Sequence, residues 1–346
     1  MKALFLDKKE SLSLRDVPLP QDLGTNDVRI KIANVGICGS DVHYCLHGNI
    51  GNFVVKEPMV LGHEASGTIS EIGSAVKILK IGDRVCMEPG IPDYASRETL
   101  QGMYNLDPDV RFWATPPIHG CLRESIVHPA NLTFKLPDNV SFEEGALVEP
   151  LAIGVHSAKK ARVVPGDTAL VLGAGTIGLV TALAAIAAGC SHVIVADSKQ
   201  QKLDFIGKHY DSRISTFNIA TGDLKAKVWE DHPQGVDIVF EASGNAQAIL
   251  STTSFLCPGG KVVLIGMPQN PAAIDIVEAQ TKEIEFLTIF RYANVYDRAI
   301  KYIASGQINV KPLITHRFDF ADIIKAFDFA ATLPGDAIKI MIKLPD

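Results

Sequence analysis

Hydrophobic and polar positions follow two different rhythms along this chain. Over the first 150 residues, apolar positions come in short runs bounded by glycine, proline and charge. Val28-Arg29-Ile30-Lys31-Ile32 alternates, the period of a strand with one buried face. Residues 65–72, interrupted by Gly67, and 84–87, entered through Gly82-Asp83, predict further short strands of an irregular β domain. From about Ala152, Val/Ile-rich runs (169–172, 193–196, 236–240, 262–265 and 284–289) alternate with longer helical patterns. Between the first two, Leu179, Val180, Leu183 and Ile186 recur at helical spacing among alanines. That alternation predicts a parallel sheet covered on both faces. The chain ends with a predicted helix over 293–305 and a strand over 338–343. Isoleucine fills every second place there and lysine two of the places between, so a half-exposed strand returning to the first domain is expected.

A length of 346 residues points to two domains, and 47% apolar with 21% charged residues supplies ordinary globular cores. The net charge of −6 offers no basic field for nucleic acid. Six cysteines without a CxxC pair argue against a disulfide framework and for a reducing, cytoplasmic setting. The apolar run after Met1 meets Asp7, Lys8 and Lys9 too soon for a signal peptide. Residues 168–191 carry no charge, but Gly173, Gly175 and Gly178 break the run, so a buried strand–turn–helix is expected rather than a membrane span.

That turn supplies the first chemistry. Gly173-Ala174-Gly175-Thr176-Ile177-Gly178 fits G-x-G-x-x-G between a predicted strand and a predicted helix. The glycines permit the tight turn, the approach of a pyrophosphate to the backbone and close helix–strand packing. Nineteen residues past Gly178, Asp197 ends the next apolar run, where a carboxylate binds ribose hydroxyls and repels a 2′-phosphate. Ser198 follows rather than an arginine, although Lys199 and Lys202 lie close, and NAD is expected over NADP.

Cys38, His63, Glu64 and Glu149 are candidate metal ligands in the first domain. A catalytic zinc takes about three protein ligands and leaves a position for water or substrate. Spacing alone does not join Cys38 to His63. Gly62-His63-Glu64 with Gly67, Gly73 and Val76 resembles the zinc signature of the medium-chain dehydrogenase/reductase superfamily. Residues 36–43 resemble its first ligand loop. Residues 144–151, Glu-Gly-Ala-Leu-Val-Glu-Pro-Leu, resemble its third site segment in the sorbitol/xylitol dehydrogenase version.

The resemblance runs end to end and implies a GroES-like irregular β-barrel catalytic domain (1–153 plus 290–346) and a doubly wound Rossmann NAD-binding domain (154–289). It implies that Cys38 and His63 bind one catalytic zinc, with Glu64 and Glu149 completing the shell directly or through water, and Asp41 holding the other nitrogen of His63. Residues 90–105 hold no cysteine, so the structural zinc of many relatives is not expected. Ser40 and His43 match a proton relay. Tyr44, Glu149, Arg291 and Tyr292 match polyol contacts, and Ile177, Lys202, Ile265, Gly266, Met267, Ile289, Phe290 and Arg291 match further cofactor contacts. The implied activity is reversible NAD-linked oxidation of a small polyol such as xylitol to a ketone, in a homotetramer. A sorbitol/L-iditol 2-dehydrogenase, a related diol dehydrogenase and a non-catalytic nucleotide-binding protein are the alternatives.

Overall fold

The structure is a computed structural model that describes residues 1–18 and 22–345. It divides into two compact units, Met1–Glu149 with Tyr296–Asp346, and Pro150–Val295. The expected boundaries lay at 153/154 and 289/290.

The first unit is built on a sheet whose strands run in the order Thr133–Lys135, Arg84–Met87, Glu64–Ile72, Asp27–Ile37, Lys339–Lys343 and Ile314–Asp319, with Ser125–Pro129 also paired to Asp27–Ile37. Register shifts along the pairing of Asp27–Ile37 with Glu64–Ile72 bend it, as bulges do. A second sheet joins Lys2–Lys8, Ser11–Asp16 and Met59–Val60, and the apolar faces enclose one core that includes Leu4, Ile30, Leu61, Ile69 and Leu122. The last strand does return here, antiparallel to Asp27–Ile37, but it is not half exposed. It lies between two strands, and Lys339 to Ile342 are all buried.

The second unit holds a parallel six-stranded sheet ordered Ile214–Asn218, His192–Asp197, Thr168–Leu172, Val236–Glu241, Leu256–Leu264, Glu285–Thr288. Strand order reverses between Thr168–Leu172 and Val236–Glu241, and ligands of such sheets bind at the carboxyl ends there. The G-x-G-x-x-G turn leaves Thr168–Leu172 at that point and enters helix Thr176–Ala188, so the uncharged stretch is a buried strand and helix. Among the described residues no helix is long and apolar enough to cross a membrane. The helix expected over 293–305 is Tyr296–Ala304. Positive φ at Asn294 delays its start, and Gly306, at φ 74°, follows its end.

Candidate functional site

In the first unit, strand Asp27–Ile37 delivers Cys38 to the N-cap of helix Gly39–His47. The Asp41 carboxylate accepts the Cys38 N–H at 3.1 Å and the Gly62 N–H at 2.9 Å, tying two distant loops together. Gly62 has φ 89°, and a Cβ there would fall 2.6 Å from Leu122, so only glycine makes this turn into His63. Cys38, His63 and Glu64 converge, with their donor atoms within 4.8 Å of one another. Burial pushes the His63 imidazole down, but the charges of Cys38 and Asp41 outweigh it and hold it well above its ordinary value. His63 Nδ1 is buried without a hydrogen-bond partner. Asp41 Oδ1 lies 3.8 Å from it, an ion-pair distance rather than the hydrogen bond expected, because both Asp41 oxygens are engaged by backbone N–H groups.

Sulfur, imidazole and carboxylate donors converging at a largely buried point fit a zinc ion. Glu149, buried in the first turn of helix Val148–Ala161, contributes its charge to the field on His63. It stands outside the tight trio.

Sequence reasoning missed Lys339. Its Nζ donates to both Glu64 oxygens at 2.7 Å and to the Ile37 carbonyl at 3.1 Å, with Lys339 3% and Glu64 1% exposed. Alternation with isoleucine made it look like a surface lysine, and its pairing arises only once three strands are assembled. Ser40 and His43 lie one turn apart on Gly39–His47, each partly exposed. No hydrogen bond joins them; the His43 ring lies 4.4 Å from that of His47, and burial and His47 lower its pKa. Tyr44 is buried on the same helix. Within residues 90–105, the Asp93 N–H is held by the Asp107 carboxylate at 2.6 Å.

In the second unit, the Asp197 carboxylate accepts the Ala174 N–H at 2.7 Å and the Lys199 N–H at 2.8 Å, binding the second strand end to the glycine turn. A Cβ on Gly178 would fall 1.8 Å from the Gly173 carbonyl, whereas one on Gly175, the helix N-cap, would meet nothing within 4 Å. Open space at this helix N-terminus fits a dinucleotide pyrophosphate. Ile177, Lys202, Ile265 and Gly266 are partly exposed and Met267 is exposed. Ile289 is partly exposed, and Arg291, at φ 55°, lays its guanidinium 4.7 Å from the Phe290 ring centre beside buried Tyr292. A further residue went unread: fully buried Glu241 accepts the N–H groups of Ser243 and Gly244 at 2.8–3.0 Å, and its backbone carbonyl accepts those of Ile265 and Gly266. It braces the loops beside the glycine turn. Its place at a strand end, as for Asp197, was the available signal.

Residues 24–138 match the family model of the alcohol dehydrogenase GroES-like domain, and 176–305 that of the zinc-binding dehydrogenases. The chain is 54% identical to a D-xylulose reductase of Morganella morganii, covering 96% of this chain and 98% of that one. It is 43% identical to the Bos taurus sorbitol dehydrogenase, covering 96% and 93%. Among solved structures, 2R,3R-butanediol dehydrogenase of Bacillus subtilis superposes with a TM-score of 0.90 at 27% identity, covering 100% and 99%. The chain belongs to the zinc-binding dehydrogenases of the alcohol dehydrogenase family, with a GroES-like domain and a doubly wound dinucleotide-binding domain.

Proposed function

We propose that this enzyme oxidises xylitol to D-xylulose, reversibly, using zinc and NAD. The observation that carries the reading is the convergence of Cys38, His63 and Glu64 in one unit of a chain whose other unit carries the glycine turn and Asp197. The reaction removes a hydride from a secondary carbinol carbon and a proton from its hydroxyl. When bound, zinc would supply Lewis acidity at that hydroxyl and nicotinamide a hydride acceptor. Cys38 and His63 hold the metal, and Glu64 and Glu149 complete its surroundings. Gly173 and Gly178 make the tight turn and the close helix–strand packing, Gly175 leaves room for the pyrophosphate at the helix N-terminus, and Asp197 orients the ribose and disfavours NADP. His43, with Ser40, takes the proton outward; His43→Ala should lower turnover and shift its pH profile, and an unchanged profile would remove it from that role. Tyr44, Arg291 and Tyr292 supply donors to the further hydroxyls, against which a simple diol leaves buried polar groups unsatisfied.

The identity of 54% to a D-xylulose reductase, against 43% to a sorbitol dehydrogenase, favours the five-carbon polyol. The assembly is a homotetramer, and six unpaired cysteines suit the cytoplasm. NADH production with xylitol, sorbitol, ribitol and butanediol tests the reading, each before and after metal chelation. The highest kcat/KM should fall on xylitol and vanish on chelation. A preference for sorbitol or butanediol would reassign the substrate.

A further inference from the structure

A cavity of about 440 Å³ in the first unit is lined by Asp27, Arg111, Trp113, His119, Arg123 and His128 among others, none of them a residue of the metal or dinucleotide site. Arg123 is 9% exposed, and no hydrogen bond or ion pair reaches its guanidinium from any described residue; its Nε is buried with no partner. A buried guanidinium without a counter-charge is strongly disfavoured unless something supplies one. Asp22 and Asp27 also line the cavity, yet neither pairs with Arg123 or Arg111. Burial pushes the Arg123 guanidinium down, and no carboxylate acts to raise it.

The two histidines have definite roles. His119 Nδ1 accepts the Val60 N–H at 3.0 Å, and burial together with Arg123 keeps the ring neutral, so Nε2 carries a hydrogen to donate. His128 Nε2 stands 3.0 Å from the Glu88 carbonyl, which can only accept. The hydrogen is therefore on Nε2 and committed to that carbonyl, and the enclosed Nδ1 has no surface open to the cavity. The walls thus offer a charged fork, a second arginine and a neutral donor. Their volume falls in the range of small-molecule sites, roughly 300–1,000 Å³.

We propose that this cavity binds a small oxyanion, its charged oxygens on Arg123 and Arg111. A small carboxylate and inorganic phosphate share that chemistry.

The test follows thermal unfolding of the full-length protein at fixed ionic strength, with saturating NADH present, during titration with inorganic phosphate, lactate or acetate. Phosphate, lactate or acetate should raise Tm saturably. Arg123→Gln should weaken the response at least about tenfold and leave NADH binding unchanged. Arg111→Gln, on an exposed side chain, should weaken it severalfold and serves if the first variant does not fold. A response to phosphate alone or to lactate alone identifies the class bound. No saturable response, or an equal one in the variants, overturns the site. A change of molar mass in Arg123→Gln by light scattering would also overturn it, since the guanidinium would then seat a carboxylate of a second copy.

Discussion

Lys339 is the side chain on which the metal trio most depends without belonging to it. Both oxygens of Glu64 rest on one buried ammonium, so removing the ammonium leaves a carboxylate in the interior with no partner. Breaking one half of such a pair costs about 3–5 kcal/mol. Lys339→Met should lower urea-unfolding stability by about that amount, and adding Glu64→Gln should recover most of it. A loss below about 1 kcal/mol in the single variant would show the pair to be dispensable. Two other buried side chains set the acid limit. Burial holds His128 down to about 3 and His156 down to about 4. Both are neutral when folded, whereas the unfolded chain protonates them below about 6.5. Stability is therefore lost as pH falls from about 6.5 toward 4, by about 1.4 kcal/mol per pH unit for each. Unfolding free energies at pH 6.5, 5.5 and 4.5 should show His128→Asn losing less by one such increment per unit, and equal slopes would contradict the assignment.

Among elements, the parallel strands were the most legible. Within His192–Asp197, residues 193–196 are buried on both faces and read as an uninterrupted apolar run, and Val236–Glu241 reads the same apart from Asp237. Ile214–Asn218 was not foreseen, because it is the edge strand of its sheet and its Ser215, Thr216 and Asn218 carry no apolar run. Ile314–Asp319 escaped for the same reason, with polar residues at Thr315, His316, Arg317 and Asp319. The turn between Thr168–Leu172 and Thr176–Ala188 was readable because its glycines are demanded by contact: Gly178 packs against the carbonyl of Gly173. Gly178→Ala must push helix from strand. It should weaken NADH binding, followed by fluorescence titration, at least about a hundredfold, while bound zinc stays at the wild-type level. Undiminished NADH affinity would mean that the turn does not hold the dinucleotide.

At the scale of the molecule, a net charge of −6 and two separate cores told only that the chain is a two-domain globular protein without a nucleic-acid field. The chemistry was legible because ligand residues sit in short motifs, Gly62-His63-Glu64 above all. Their meeting with Cys38 was not, because strand pairing brings residues 38 and 63 together and no local pattern encodes that. The same limit hid Lys339 and Arg123, whose significance lies in what surrounds them after folding. Activity depends on one cation held by a thiolate and an imidazole. The direct test is zinc content and xylitol turnover measured together in the wild type and in Cys38→Ala. The wild type should carry one zinc per chain at this site, and the variant should lose both the metal and at least about a hundredfold in kcat/KM. Full activity in a zinc-free wild type, or undiminished turnover in Cys38→Ala, would contradict it.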